Sequence, residues 1–272
     1  MTTLDDLKVR ISKTPRIKLA NLPTPLHELR RLSKVLGGPR LWIKREDCTC
    51  LAPGGGNKQR KTEFVMADAL KKGADVVVTT GAVQSNHARA TAAAAIRLGL
   101  KVVLVLEGKE PKEYDGNLLL DHLMGADIRF VSAKWSEIDS ILNDTAKRLK
   151  EERHVPYVIP GGASYPIGAI AYVNAMLELI EQAKDAKINI DCLIHASASG
   201  GTQAGLVLGN KTLKAGIEIL GICAEPNNNW LTNKTVEIGN EAAKLLGLKE
   251  IVDPKDVTLI NDYAGEAYGV LT

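Results

Sequence analysis

Aromatic residues are scarce in this 272-residue chain, where tryptophan, tyrosine and phenylalanine together make up 4%. Proteins that bind single-stranded nucleic acid stack its bases on aromatic side chains, so this composition argues against such a surface. The charges are nearly balanced, because 35 basic and 32 acidic residues leave a net charge of +3. So small a charge argues against nucleic acid and against an anionic membrane surface as partners.

Cysteine and histidine are also few, at four and five residues. Cys48 and Cys50 form a C-x-C pair without a second pair or a nearby histidine, and Cys192 and Cys223 stand alone. This spacing predicts no metal site. Free thiols are typical of the reducing cytosol, and the N-terminal MTTLDDLKVRISKTPRIKL has no apolar stretch of the secretory type. No apolar run is long enough to span a bilayer, so we expect a cytoplasmic protein without a membrane partner.

What the chain does contain is a regular alternation of apolar, β-branched segments with helical patterns. The predicted strands are Leu41–Arg45, Val76–Thr79, Val102–Leu106, Ile128–Val131, Tyr157–Ile159, Cys192–Ala196 and Ile217–Cys223. The predicted helices are Lys61–Lys72, Asn86–Leu98, Asn117–Met124, Ser136–Glu152, Ile167–Gln182, Gln203–Asn210 and Leu231–Leu246. This alternation predicts an α/β fold of open parallel sheets with helices on both faces.

The first candidate loop is GGGNKQRKTEF, from Gly54 to Phe64, in which Asn57 is placed to cap the following helix. Lys58, Arg60 and Lys61 then lie in the first turn, where the helix dipole is already positive and each cation costs about 0.3–1 kcal/mol. A nearby anion would relieve this repulsion, and the positive surroundings would lower a lysine pKa and strengthen it as a nucleophile. A solvated basic turn is the alternative interpretation.

The second candidate loop is TTGAVQSNHARATAAAA, where an apolar strand ends and an alanine-rich helix begins near Asn86. Gln84, Ser85, Asn86 and His87 place polar side chains beside free backbone N–H groups. Such a helix start suits an anion, for example an amino-acid carboxylate. An ordinary N-cap formed by Ser85 is the alternative.

The third candidate loop is HASASGGTQAGL, which follows the predicted strand Cys192–Ala196 and leads into a helix. It is rich in hydroxyl groups and glycine, at Ser197, Ser199, Gly200, Gly201 and Thr202. Backbone N–H groups at a helix start, together with hydroxyls, bind phosphate well, although neither the Walker nor the dinucleotide-binding pattern is present. A plain turn is the alternative, and we interpret His195 as a core or edge histidine.

These loops together resemble one family of pyridoxal-phosphate (PLP) enzymes. The segments LPTPLHEL, LWIKREDCT, APGGGNKQRKTEF, GAVQSNHARA, ASASGGTQAG and EAYG are similar, in order, to the D-cysteine desulfhydrase and 1-aminocyclopropane-1-carboxylate (ACC) deaminase family. That family has the tryptophan-synthase-β-like fold, called fold type II. The resemblance implies a small α/β domain at 60–163 inserted into a large domain of 1–59 and 164–272, with the cofactor in the cleft. It also implies a homodimer.

The resemblance assigns the cofactor contacts. Lys58 would bond covalently to PLP, Lys61 would lie close by in the active site, and Asn86 would bond the ring hydroxyl of the cofactor. The phosphate would be bound by Ser199, Gly200, Gly201 and Thr202. A lysine and a phosphate site are two of the things that a PLP enzyme must supply, so the reasoning from the loops agrees with the resemblance.

The resemblance also assigns the substrate contacts. Ser85, Asn86 and His87 would hold the carboxylate of a small amino acid, and Ser85 would take part in proton transfer. Tyr268 matches the first of two active-site tyrosines. Family members continue for some tens of residues beyond this tyrosine, with a second tyrosine and the partner of the pyridine nitrogen. Smaller departures are Cys50 in place of a usual glycine and Thr62 in place of a usual leucine.

The expected activity is a PLP-dependent β-elimination. D-cysteine would give pyruvate, sulfide and ammonia, and L-cysteate would give sulfite instead of sulfide; His87 in the QSNH motif favours these reactions. The alternatives are ACC deaminase, which forms 2-oxobutyrate and ammonia, and a non-catalytic homologue that binds PLP. A nicotinamide-dependent oxidoreductase is disfavoured, because the dinucleotide fingerprint is not evident.

Overall fold

The structure is a computed structural model that describes residues 2–51, 55–226 and 229–265. Its helices within these ranges are α1 (Leu4–Ser12), α2 (Arg30–Leu36), α3 (Lys58–Lys71), α4 (Asn86–Arg97), α5 (Gly116–Leu123), α6 (Ile138–Glu151), α7 (Pro166–Asp185), α8 (Gly201–Leu213) and α9 (Trp230–Leu245). Its strands are β1 (Leu26–Glu28), β2 (Trp42–Lys44), β3 (Val76–Ala82), β4 (Lys101–Glu107), β5 (Asp127–Val131), β6 (Pro156–Val158), β7 (Cys192–Ser197), β8 (Glu218–Cys223) and β9 (Thr258–Ile260). None of the helices in the described ranges combines the length and apolar character needed to cross a bilayer.

A four-stranded parallel sheet, in the order β5-β4-β3-β6, has helices on both faces. Successive residues of a strand point to opposite faces, and the buried side chains of β3 follow this rule. Val76 and Val78 pack in one cluster with Leu142 of α6, whereas Val77 packs in another with Ala88 of α4. This sheet therefore confirms the predicted α/β arrangement.

A second parallel sheet, in the order β7-β8-β9, packs against α7, α8 and α9. α8 lies very close to α7, because Gly205 has no side chain at the contact. A Cβ there would clash with the carbonyl oxygen of Ala169 and with Tyr172. This contact sets α8, and the loop that precedes it, at a defined place beside α7.

Helix α3 joins the two halves of the molecule. Its Phe64 belongs to the core around α7 and α8, whereas Val65 and Met66 belong to the core of the four-stranded sheet. The strands of that sheet all lie within 60–163, and those of the second parallel sheet lie within 164–272. This arrangement supports the division into an inserted domain of 60–163 and a larger domain of 1–59 with 164–272, which we propose here as the domain organisation.

The N-terminal region differs from the prediction. The expected strand Leu41–Arg45 is the shorter β2, which is half buried and pairs antiparallel with β1. Neither β1 nor β9, each three residues long, was predicted. α1 also went unpredicted, although Thr3 and Asp6 form a capping box at its start.

Candidate active site

The three candidate loops meet at two adjoining cavities of about 530 and 460 Å³. Lys58 at the start of α3 and Ser199 before α8 line both cavities. From the second loop, Ser85 and His87 line the larger cavity and Asn86 lines the smaller one. The second and third loops follow the carboxyl ends of the parallel strands β3 and β7, the usual ligand site of such sheets, whereas the first loop follows the antiparallel strand β2.

The remaining predicted site residues are placed as follows. Gly200 and Thr202 also line the smaller cavity, whereas Lys61 and Gly201 are buried behind the cavity walls. Gly54, which begins the first loop, and the predicted catalytic Tyr268 lie outside the described residues.

Lys58 is the first residue of α3, and its Nζ donates to Oδ1 of Asn57 over 3.2 Å. Burial in the cavity wall lowers the pKa of this ammonium group to about 8. Asn57 does not cap α3 as predicted, because its backbone is already helical, with φ −57° and ψ −26°. Its side chain donates instead to Oγ1 of Thr202 over 3.0 Å, which ties the first loop to the third.

Arg60 faces away from the cavities, and the expectation that a ligand anion would relieve its charge is wrong. Its guanidinium is 1% exposed and donates to Glu46 over 2.6 Å and to Glu178 over 2.8 Å. Burial alone would lower the pKa of Arg60, but these hydrogen bonds outweigh it and raise the pKa. The charge is therefore satisfied by two carboxylates of the chain.

The charge of Lys61, unlike that of Arg60, is not balanced by a carboxylate among the described residues, as the sequence indicated. The residue is 1% exposed, and its Nζ donates to the carbonyl oxygen of Gly162 over 3.0 Å. Burial, and then the charge of Lys58, hold the pKa of Lys61 well below its ordinary value. A Cβ added at Gly201 would lie 3.1 Å from this Nζ, so the amine lies against the third loop. A bound anion at that loop would stabilise its charged form.

The second loop begins α4 with a side-chain cap. Ser85 has an extended backbone, and its Oγ accepts from the backbone N–H of Ala88 over 3.2 Å. Oδ1 of the next residue, Asn86, accepts from Nδ2 of Asn117 over 3.0 Å. The capping interpretation of Ser85 is thus confirmed, and the cap orients the start of α4 toward the cavities.

His87 is 3% exposed, and both of its ring nitrogens are engaged. Nε2 lies 2.8 Å from Oγ1 of Thr79, whose hydroxyl donates to the carbonyl oxygen of Ile159, so Nε2 is assigned as the donor. Nδ1 lies 3.4 Å from Oγ1 of Thr91. Burial, together with the charges of Lys58 and Lys61, holds the pKa of His87 well below its ordinary value. The ring is therefore neutral and fixed in orientation.

The third loop ends in a tight turn at the start of α8. Gly200 adopts a left-handed conformation with φ +81°, which glycine favours. The hydroxyl of Ser164 donates to Ser199 over 2.7 Å and accepts from the backbone N–H of Gly201 over 3.2 Å. Ser164 was missed at the sequence level, although it follows a Gly-Gly pair close to a predicted strand end. A helix N-terminus with hydroxyl groups beside it is an arrangement that suits an anion.

Two acidic residues on the cavity wall were also missed. Glu107 ends β4 and Glu225 follows β8, so both lie at the carboxyl end of a parallel strand. Burial, and then the negative charge of Glu107, raise the pKa of Glu225. The indoles of Trp135 and Trp230 line the same cavity. The strand-end position was the signal that could have identified the two carboxylates.

His195 lines the smaller cavity, and its Nδ1 donates to the carbonyl oxygen of Ala196 over 2.9 Å. Burial lowers its pKa, so the ring is neutral. None of the four cysteines forms a disulfide, and within the described ranges no three metal-binding side chains gather in one place.

Comparison with known proteins gives a consistent result. The family model described as pyridoxal-phosphate dependent enzyme matches residues 17–272. A Pyrococcus horikoshii protein, named provisionally as an ACC deaminase, is 43% identical over 263 residues, which are 96% of this chain and 78% of that protein. A D-cysteine desulfhydrase from Klebsiella pneumoniae is 39% identical over 264 residues, or 95% of this chain and 78% of the relative.

Solved structures show the same fold. A protein described as an ACC deaminase homologue superimposes with a TM-score of 0.89 at 42% identity, covering 98% of this chain and 79% of that one. The apo form of Escherichia coli diaminopropionate ammonia lyase superimposes with a TM-score of 0.64 at 16% identity, over 89% of this chain and 67% of that one. The similarity to the ammonia lyase, at 16% identity, shows only a shared fold.

Proposed function

Because the chain belongs to the family of pyridoxal-phosphate-dependent enzymes, we propose that it is a lyase that removes the β-substituent of D-cysteine. The observation that carries this proposal is the position of Lys58. Its amine, with a pKa of about 8, lies in a cavity between the hydroxyl-rich α8 turn and the start of α4. A PLP lyase needs a reactive lysine between a phosphate site and a substrate-carboxylate site.

The residues of the α8 turn fit the phosphate of the cofactor. Lys61 is a buried cation whose charge an anion would stabilise, and the N-terminus of α8 adds free N–H groups. Ser199, Gly200, Gly201 and Thr202 would hold the phosphate, Asn86 would bond the ring hydroxyl, and Lys58 would bond the aldehyde carbon. When bound, PLP withdraws electrons from the substrate Cα and so acidifies its proton.

The second loop fits the substrate. The N-terminal N–H groups of α4, with the Ser85 hydroxyl, would bind the carboxylate and hold the Cα–H bond toward Lys58. A lysine with a pKa of about 8 is partly uncharged near neutral pH, so its Nζ can accept the Cα proton. Ser85 would move a proton at its Oγ. We propose that the buried His87 fixes the start of α4 through Thr79 and Thr91.

The cavity wall favours a neutral substrate side chain. Glu107 and Glu225 bring negative charge to the larger cavity, and a sulfonate there would be repelled by both. This argues for D-cysteine over L-cysteate. In the proposed reaction, D-cysteine and one water give pyruvate, hydrogen sulfide and ammonia, so that the Cβ–S bond breaks and sulfur leaves with a proton.

ACC deaminase is the second candidate, supported by the 42% identity to the ACC deaminase homologue. ACC and one water would give 2-oxobutyrate and ammonia, through opening of the three-membered ring. ACC also has no charge beyond its amine and carboxylate, so the acidic cavity wall does not separate it from D-cysteine.

The test supplies the purified chain with PLP and offers D-cysteine, L-cysteate and ACC separately. Sulfide, sulfite and keto acid are each measured. Sulfide and pyruvate from D-cysteine alone are the expected result. Turnover of ACC alone would replace the first candidate by the second, and bound PLP without any turnover would establish the non-catalytic alternative.

We also propose that the chain is a cytoplasmic homodimer. The thiols without disulfides fit a reducing compartment. The dimer is supported by the family resemblance and by exposed apolar side chains on α2, where Val35 is 81% and Leu36 is 64% exposed. Light scattering coupled to size exclusion should give twice the mass of 29.3 kDa. A single-chain mass at micromolar concentration would contradict the dimer.

A further inference from the structure

The turn that precedes Lys58 is held firmly on one side. Gly55 and Gly56 have φ of +52° and +112°, and a Cβ on Gly55 would clash with the carbonyl oxygen of Asp47. The backbone N–H of Gly56 donates to Glu46 over 2.9 Å, and Thr49 Oγ1 donates to the carbonyl oxygen of Gly56 over 3.1 Å. The residues from Glu46 to Thr49 therefore clamp the turn from the side of the larger domain.

Arg89 holds the same turn from the other side. It lies in the first turns of α4, is 5% exposed, and its Nη2 donates to the carbonyl oxygen of Gly55 over 2.9 Å. Burial of a guanidinium is unfavourable unless hydrogen bonds and an opposite charge compensate it. Asp121, on α5, is the acidic residue whose charge acts on Arg89, but the two side chains form no hydrogen bond within the described ranges. Burial raises the pKa of Asp121 to about 7, so its negative charge is lost below that pH. Because burial of the Arg89 guanidinium is unfavourable, its presence here indicates a role beyond packing.

The bond from Arg89 links two parts of the site. Ser85 and Asn86, at the start of α4, lie one turn before Arg89 on the same helix, and Gly55 lies three residues before Lys58. A rigid connection between α4 and the turn therefore sets the distance from Lys58 to the groups proposed to bind substrate and cofactor. Sub-ångström placement of such groups matters for reactivity.

We propose that Arg89 is a positioning residue that fixes the turn before Lys58, and so directs the Lys58 amine toward the cofactor aldehyde. This inference rests on the proposed role of Lys58. Arg89 touches neither cofactor nor substrate, and it acts through the Gly55 carbonyl. Its loss should weaken PLP binding and change the titration of Lys58 without unfolding the chain.

The experiment compares wild type with Arg89→Met, which removes charge and hydrogen bond, and Arg89→Lys, which keeps the charge. Arg97→Met, at the exposed end of the same helix, is the matched control. PLP is titrated into each cofactor-free protein, and the visible absorption of the bound cofactor is then followed against pH. Thermal unfolding of each cofactor-free protein is measured alongside.

The expected result is PLP binding about tenfold weaker in Arg89→Met, because the Lys58 amine would no longer be held in its reactive position. Arg89→Lys should recover part of the affinity, the pH midpoint of the absorption should shift in both variants, and Arg97→Met should match wild type. Wild-type affinity and midpoint in a folded Arg89→Met would overturn the inference. If Arg89→Met does not fold, the PLP affinity and the pH midpoint of Arg89→Lys are compared with those of wild type instead. Wild-type values for both in Arg89→Lys would then overturn the inference. Absence of visible absorption in wild type with PLP would instead refute the proposed function.

Discussion

Lys58 and Arg60 are two residues apart, yet their surroundings shift their pKa values in opposite directions. Lys58 lines a cavity and forms no ion pair with any described residue, and burial lowers its pKa to about 8. Arg60 meets Glu46 and Glu178, which raise its pKa despite equal or deeper burial. Desolvation disfavours a charge, and hydrogen bonds to the charged form or a nearby opposite charge reverse that effect. Lys58, the amine proposed to bond PLP, is thus one whose charge no described carboxylate stabilises.

Lys58→Ala should abolish covalent binding of PLP, because it removes the amine that would bond the cofactor. The fold should stay intact, because the Lys58 side chain lines a cavity. Borohydride reduction followed by mass spectrometry should show the added mass in wild type and not in Lys58→Ala. Lys71→Ala, at the exposed end of the same helix, is the control and should retain the added mass. Cofactor attached to Lys58→Ala would refute the assignment.

Asp121 should make stability depend on pH. Burial raises its pKa to about 7 from 3.8, although the charge of Arg89 opposes this. Between these values the folded chain holds a proton that the unfolded chain has lost, so the free energy of unfolding falls as pH rises. The full effect, reached above pH 7, is at most about 4 kcal/mol.

Asp121→Asn, which stays neutral, should flatten this slope in urea unfolding measured from pH 4 to pH 8. Asp139→Asn, an exposed carboxyl on α6, serves as the control and should leave the slope as in wild type. An unchanged slope in Asp121→Asn would show that this carboxyl is ionised throughout the range.

At the scale of elements, α3 is held by a buried network that joins it to β2 and α7. Arg60 of α3 donates to Glu178 of α7, and Lys44 of β2 pairs with the same carboxylate. Glu46, just after β2, accepts from Arg60 as well. The direction of the helix that carries Lys58 is therefore fixed by the contacts of its third residue, Arg60, as well as by its apolar face.

Arg60→Met should lower the free energy of unfolding by about 3–5 kcal/mol, because Glu46 and Glu178 would lose the buried guanidinium that they share. Chemical unfolding in urea measures this loss. Arg45→Met, which breaks the surface pair with Asp47, is the control and should change stability little. Equal losses in the two variants would mean that the buried network adds no stability.

The contact between α7 and α8 should be equally sensitive to size. Gly205→Ala places a methyl group against Ala169 and Tyr172, and the overpacking should cost about 1–3 kcal/mol, more than the gain in helix propensity. Gly38→Ala, where a Cβ meets no atom within 4 Å, is the control. Thermal unfolding of both variants checks the prediction, and a stabilised Gly205→Ala would contradict the close packing.

At the scale of the whole molecule, the cavities lie between the two parallel sheets, so a bound cofactor contacts both halves of the chain. A ligand that binds only the folded state stabilises it by about 2.7 kcal/mol at one hundred times its Kd. PLP should therefore raise the Tm of wild type. Inorganic phosphate, which would occupy only the α8 turn, should raise it less. An equal rise in Tm with phosphate alone would show that the binding free energy of PLP does not come from contacts in the Lys58 cavity.

Local sequence was enough to predict the parallel α/β fold and the loops of the site. Apolar runs such as Val76–Thr79 and Val102–Leu106 mark buried strands, and the glycine and hydroxyl residues after Cys192–Ala196 mark a helix start. These signals are local, because the period of side chains and the conformational needs of a turn depend on neighbours in the chain. The resemblance to PLP enzymes could be read from the same segments.

Only the tertiary structure decided which charges face the cavity. It directs Arg60 to carboxylates 14 and 118 positions away in the chain, and it leaves Lys61 against the α8 turn. It also brings Glu107 and Glu225 to one wall and ties Arg89 to Gly55. The pKa of a group and the partners of a side chain depend on contacts between residues far apart in sequence, and those contacts exist only once the helices and sheets have packed.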